Sequence, residues 1–281
     1  MVWTLPGDGP LTDWDAAYDN AAHVPDSAAY GPRWQAEAAA FREALGPRAR
    51  TELPYGPGAR QRFDLFLPET EPRGLFVFVH GGYWRARHRS DWSHLAAGPL
   101  AHGWAVAMPG YTLCPSATLP DIRAEIAAAI ARAAEEVAGP ILLSGHSAGG
   151  HLVTRAICTD AALGPVRRVA GVASISGLHD LRPLLRTSMV NDLRLDAETA
   201  RAESPALLTP VPGIPVLAWV GASELAEFRR QAALIANAWY GLGVDMRLAE
   251  SPGDHHFSVI EPLADPGSDL VAAILGMAGE G

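Results

Sequence analysis

From residue 74 almost to the C-terminus, short apolar runs alternate with longer segments whose apolar residues recur at helical spacing. The first run, Gly74 to Val79 (GLFVFV), stops at His80-Gly81-Gly82, as a strand buried on both faces does. Leu119 to Val137 carries Ile122, Ile126, Ile130 and Ala133 on one helical face, with Pro120 and Asp121 in the first turn. Further strands are predicted at 104–108, 140–144, 168–174, 215–220 and 244–249, and helices at about 91–102, 148–159, 225–240 and 269–277. Such alternation builds βαβ units, so the expected fold is α/β, a mostly parallel twisted sheet with helices on both faces. It excludes a helical bundle and an antiparallel sandwich.

The rest of the chain is fitted around that frame. Residues 1–50 read as an irregular arm followed by a helix from Arg33 to Leu45, closed by Gly46-Pro47. Gln61 to Pro68 alternates at period two, a half-buried strand. Between 177 and 212 the alternation lapses into short helix signals, a cap-like excursion from a single domain spanning 1–281. A net charge of -9 argues against nucleic acid or an anionic membrane as a partner, since both need a basic footprint. All 22 basic residues are arginine, which removes lysine Schiff-base, pyridoxal-phosphate and phosphate-loop chemistry. Cys114 and Cys158 are too few for a disulfide framework or a thiolate metal site and read as buried thiols. The opening MVWTLPGDGPLTDWDAAYDN lacks a basic start and an apolar stretch, and no run reaches the length of a membrane span, so a cytoplasmic protein is expected.

Gly145-His146-Ser147-Ala148-Gly149 follows the strand ILLSG and precedes a helix, the setting of a G-x-S-x-G nucleophile elbow. That makes Ser147 the candidate nucleophile. His80-Gly81-Gly82-Tyr83-Trp84, after the earlier strand, matches the loop that supplies half of an oxyanion hole; Gly81, Gly82 and the Ala148 N–H are its candidate donors. His80 is expected to pin this loop. Tyr83 and Trp84, with Tyr111, are expected to wall the substrate site. The acid belongs after the strand at 215–220, where Glu224 lies at the strand exit and Glu227 one turn into the helix, in a solvated or helix-dipole role. The base belongs after the last strand, at His255-His256; two adjacent histidines cannot both face Ser147, and His256, before Phe257, is the expected one. His151 is expected to pack. His88, His94 and His102 lack metal-ligand spacing and read as scattered surface residues, so neither a metal nor a cofactor is expected.

With these residues, and with Asp15-Ala16-Ala17-Tyr18, Val24-Pro25-Asp26, Leu53-Pro54-Tyr55-Gly56, Gly110-Tyr111-Thr112-Leu113 and G-x-x-E-x-x-E-F at 221–228, the chain resembles α/β-hydrolase-fold arylformamidases and related bacterial esterases. The arylformamidases are also called kynurenine formamidases. The resemblance implies Ser147, Glu224 and His256 as a triad, with Glu224 where many members have Asp. It implies hydrolysis of an N-formylkynurenine-type amide, a step of tryptophan catabolism, or alternatively of a short-chain ester. A small-molecule substrate and a homodimer follow from the same resemblance. An amino-acid-bearing leaving group would also need a cationic partner; Arg85, Arg87 and Arg89 are close in sequence, at least two of them expected to be solvated.

Overall fold

The computed structural model describes Leu11 to Gly279. The reading of the first twenty residues as leaderless, and the arm from residue 1, fall partly on 1–10, outside the described residues.

Eight strands form one sheet: β1 (Ala49–Pro54), β2 (Arg62–Phe66), β3 (Leu75–Val79), β4 (Ala105–Pro109), β5 (Ile141–His146), β6 (Val169–Ile175), β7 (Val216–Gly221) and β8 (Met246–Ser251). Their spatial order is β1-β2-β4-β3-β5-β6-β7-β8. β2 pairs antiparallel with β1 and β4, and every other pairing is parallel. The helices are α1 (Asn20–His23), α2 (Ser27–Leu45), α3 (Ala97–Ala101), α4 (Leu119–Glu136), α5 (Ala148–Ala156), α6 (Val190–Leu193), α7 (Ala197–Ala202), α8 (Ala226–Trp239) and α9 (Asp269–Leu275).

Side chains that alternate along a strand feed two cores. Leu75, Val77 and Val79 join the cluster that holds Ile122, Ile126 and Ile130 of α4, Leu152 of α5 and Phe228 of α8. Phe76 and Phe78 enter the opposite cluster, with Trp34 of α2, Trp92 and Ile274 of α9. A strand that must fill both cores has no polar face, which is why GLFVFV is apolar throughout.

The structure shifts several expected boundaries. α2 begins at Ser27, not Arg33, and carries Pro32 in its second turn, where the proline forfeits one hydrogen bond of a nineteen-residue helix. The helix expected at 91–102 is a 3-10 segment, Arg89–Ala96, running into α3, with His88 and Asp91 forming a reciprocal cap at its start. β1 was not anticipated, because an exposed edge strand has little apolar alternation to detect. The excursion at 177–212 resolves into α6, α7 and 3-10 turns at Arg182–Arg186 and Pro205–Leu207. Among the described residues no helix is long and apolar enough to cross a membrane.

Parallel strands align their carboxyl ends at one sheet edge, and Val79 pairs with Gly145, His146 with Ile175, and Gly221 with Ser251. The loops that leave β3, β5, β6, β7 and β8 therefore open onto common ground.

Candidate active site

The turn from β5 into α5 is sterically extreme. Ser147 has φ 55° and ψ −117°, a region that non-glycine residues seldom occupy. Its N–H donates to the Ile175 carbonyl at 2.8 Å, tying the turn to β6. A Cβ on Gly145 would lie 2.3 Å from the Gly149 oxygen, and one on Gly149 only 1.9 Å from the Val79 oxygen. No side chain fits at either position, so the glycines on each side of the serine permit the crossing. The loop after β3 meets this turn directly, since a Cβ on Gly81 would be 3.0 Å from the Ser147 Cβ. Gly82 follows at φ +112°, and Tyr83 and Trp84 are both left-handed, at φ 49° and 55°. Gly81, Gly82, Ser147 and His256 line one cavity of about 390 Å³, and Ala148 opens α5 directly behind the serine.

Glu224 and His256 meet across 32 residues of sequence: His256 Nδ1 lies 2.7 Å from Glu224 Oε2, and both side chains are buried. The other carboxylate oxygen accepts the Gly221 N–H at 2.9 Å and the hydroxyl of Ser176 at the end of β6. Three hydrogen-bond partners thus hold the Glu224 carboxyl group in a buried site, where an unpartnered polar group would be costly. Ser176 was not anticipated, because nothing in its own neighbourhood marks a serine that serves a residue 48 positions away. Hydrogen bonds hold the acid and the imidazole; none holds Ser147 Oγ among the described residues.

The neighbouring candidates separate cleanly. His255 turns toward α2, with Nε2 3.2 Å from the Tyr30 hydroxyl and Nδ1 accepting the Ser258 N–H. Glu227 is buried rather than solvated: it accepts the Tyr18 hydroxyl at 2.6 Å and pairs with Arg230, which fastens the N-terminal arm to α8. His146 donates from Nε2 to the His256 carbonyl at 2.9 Å, and burial pushes its pKa well below the usual value, so it stays neutral and braces the His256 loop. His80 donates from Nδ1 to the Gly81 carbonyl at 2.7 Å, with its pKa lowered to about 3 by burial. His151 packs edge-on beneath Trp84.

Two expected wall residues are elsewhere. Trp84 is fully buried against His151, and Tyr111 is fully buried, stacked 4.4 Å from His80 with its hydroxyl on the His80 carbonyl. Neither lines the cavity; the left-handed turn at 83–84 sends Trp84 into the core while Tyr83 stays on the wall. Further wall comes from the arm, through Tyr18 and Asn20, from Trp34 of α2, from Arg87 and Trp92, and from Met189 of the excursion. Tyr83 donates its hydroxyl to the Tyr18 carbonyl at 2.6 Å and so joins the arm to the loop after β3. Arg89 is also buried, paired with Asp64 at 3.1 Å and with Glu52. His88, His94 and His102 point to separate partners, and among the described residues no cluster of three His, Cys, Asp or Glu could hold a metal ion. Cys114 and Cys158 are buried free thiols whose pKa values burial raises to about 11 and about 12.

Residues 76–277, from β3 past α9, match the model of the alpha/beta hydrolase family. The chain belongs to that family. Among solved structures, one from Silicibacter sp. TM1040, provisionally described as a thioesterase, is 50% identical, with a TM-score of 0.90 over 94% of this chain and 99% of that one. A kynurenine formamidase of Salmo salar is 28% identical over 240 residues, 81% of each chain. The kynurenine formamidase of Drosophila melanogaster is 29% identical over 235 residues, 78% of each. In an alpha/beta hydrolase the elbow, the loop after β3 and the loops after β7 and β8 belong at the carboxyl edge of the sheet, where they lie here.

Proposed function

We propose that the chain is a serine hydrolase that removes a formyl group from an aryl amine, with Ser147 as nucleophile, His256 as base and Glu224 as the acid that orients it. The observation that carries this reading is the 2.7 Å contact between Glu224 Oε2 and His256 Nδ1 beside a cavity that Ser147 also lines. A carboxylate at Nδ1 keeps the proton there and leaves the Nε2 lone pair for the serine. Ser147 Oγ attacks the acyl carbon as His256 takes its proton. The tetrahedral oxyanion accepts N–H groups from Ala148 and the Gly81-Gly82 loop, each donor contributing about 3 to 4 kcal/mol in comparable sites. His256 then protonates the leaving nitrogen and the amine departs. Water, deprotonated by the same imidazole, releases formate and restores the serine.

Relatives named kynurenine formamidase over most of the chain support a formyl amide, and a cavity of about 390 Å³ accommodates one aromatic leaving group. A second reading, short-chain ester or thioester hydrolysis by the same residues, is favoured by the 50% identical structure and by the burial of Trp84 and Tyr111. Neither of those side chains narrows the acyl side. An acyl series on a constant leaving group separates the two. For a formamidase kcat/KM is greatest for formyl and falls with each added methylene, since overfilling a close-packed site costs about 1 to 3 kcal/mol. A maximum at butyryl, or ester cleavage with no turnover of any formyl anilide, selects the second reading.

A further inference from the structure

Two rings meet the imidazole of His256. His146, at the end of β5, has its ring centre 4.6 Å away, and Phe228, in the first turn of α8, lies closer, at 4.3 Å. The two neighbours differ in kind. His146 is kept neutral by burial and spends Nε2 on the His256 carbonyl. Phe228 is fully buried and has no polar atom, so its ring is all that it can offer the base.

The separation at Phe228 is shorter than the roughly 4.5 to 7 Å usual between aromatic side chains, and the planes are inclined at 51°, so the imidazole meets the face of the ring as well as its rim. That face is the negative part of the ring quadrupole. A cation within about 6 Å of the ring centre is attracted to it, most strongly where water is excluded, and both side chains are buried. The ring is also fixed from the arm: Tyr18 meets Phe228 edge-on at 6.2 Å and places its hydroxyl on Glu227, the preceding residue. A neutral imidazole gains little from this face, whereas an imidazolium gains the whole attraction. The charge appears when Ser147 Oγ passes its proton to His256 Nε2 as the oxygen–carbon bond forms. The contact therefore strengthens in the transition state, which is the condition for an interaction that raises kcat.

We infer that Phe228 is a positioning residue for the base, whose ring face stabilises the imidazolium that His256 becomes during acyl transfer. This rests on the reading of His256 as base and is indifferent to the acyl group and the leaving group. A leucine at 228 would exclude water as well as the phenyl ring does, without the quadrupole.

The test replaces Phe228 by mono-, di- and trifluorophenylalanine, which nearly keep the shape of the ring while draining its negative face, and includes Phe228→Leu, which removes the face. kcat and KM are measured on a formyl anilide and an aryl acetate from pH 5 to 9, with the thermal midpoint as folding control. NMR titration of the His256 ring nitrogens reads the imidazolium without a substrate. The titratable groups about the base are the same in every variant: Glu224 at Nδ1 from the loop after β7, neutral His146 from β5, and Glu227 beside Phe228, occupied by Tyr18 and Arg230. Log kcat/KM should fall in step with each fluorine, reaching about tenfold at three, with the loss in kcat and KM near wild type. The protonation midpoint of His256, and with it the acid limb of the rate profile, should move down by up to about one pH unit, because the charged form loses its partner. A fluorine series flat in kcat/KM and in the midpoint, or a loss confined to Phe228→Leu, overturns the inference and leaves the ring as packing. Turnover retained in His256→Ala refutes the base reading and the inference with it, whereas a dead His256→Ala beside a flat series refutes the inference alone. If neither substrate is cleaved, the NMR midpoint decides.

Discussion

Replacing Glu224 by Gln keeps the shape of the acid and inverts its hydrogen-bonding logic. Oε1 accepts two donors, the Gly221 N–H at 2.9 Å and the Ser176 hydroxyl, while Oε2 accepts the His256 Nδ1 proton at 2.7 Å. A glutamine has one oxygen, and it must stay on the side of Gly221 and Ser176. The flipped amide would oppose donor to donor in a buried site, costing about 1 to 3 kcal/mol for each unsatisfied group. The NH2 group is therefore forced against His256 Nδ1, which can meet it only as an acceptor, with the ring proton moved to Nε2. That is the tautomer with no lone pair for Ser147. The expected loss in kcat/KM is on the order of 10⁴-fold, about 5.4 kcal/mol, with the fold retained because the substitution is isosteric. The assay is kcat/KM on a chromogenic acyl ester from pH 6 to 10, alongside the thermal midpoint. Activity within tenfold of wild type, at an unchanged midpoint, would refute the argument that Glu224 sets the tautomer of His256.

Three further outcomes are expected. Ser147→Ala and His256→Ala should each remove nearly all turnover, whereas His255→Ala, whose ring faces Tyr30, should keep most of it; steady-state kinetics with circular dichroism as a folding control decide, and a dead His255→Ala with a live His256→Ala would reverse the assignment. Gly149→Ala should lower the unfolding free energy measured in urea by about 3 kcal/mol or more and abolish activity, because its Cβ would lie 1.9 Å from a strand carbonyl that cannot turn aside; wild-type stability would show that the elbow is looser than its geometry. Burial holds His80 and His151 down to about 3 and His179 to about 4, so below pH 6.5 the unfolded chain binds more protons than the folded one. Stability should then fall with pH by about 1.4 kcal/mol per unit for each histidine, about 4 for the three, levelling below pH 4 to 3. A urea midpoint that stays flat from pH 7 to 5 would contradict this.

Local order was legible wherever one segment carries its own constraint. GLFVFV reads as a doubly buried strand because filling two cores leaves no polar position. The glycines of GHSAGG read as a tight strand-to-helix turn because no side chain fits where the start of α5 passes over the end of β5 and the Val79 carbonyl of β3, and α4 reads from Ile122, Ile126 and Ile130. Each of these patterns is written within about twenty neighbouring residues, the range over which backbone geometry and periodic burial act. β1 escaped for the converse reason, since an edge strand with mostly exposed positions carries no apolar period.

What the tertiary structure alone decided is which way side chains of equal chemistry turn. His255 and His256 are adjacent and alike; Phe257 points to the second from sequence, but only the packing of α2 and of the loop after β7 turns the first ring to Tyr30 and the second to Glu224. Ser176 became a donor to Glu224, and Glu227 became the anchor of Tyr18, because β6, α8 and the N-terminal arm converge at one sheet edge from 48 and 209 residues apart. Trp84 and Tyr111 went inward because the left-handed turn at 83–84 and the stack on His80 point them into the core, whereas Arg87 remained on the cavity wall in the space that Gly31 leaves. Sequence patterns specify which residues must be buried and how the chain must bend; the direction each side chain takes, and the partner it finds, exist only once distant segments have packed together.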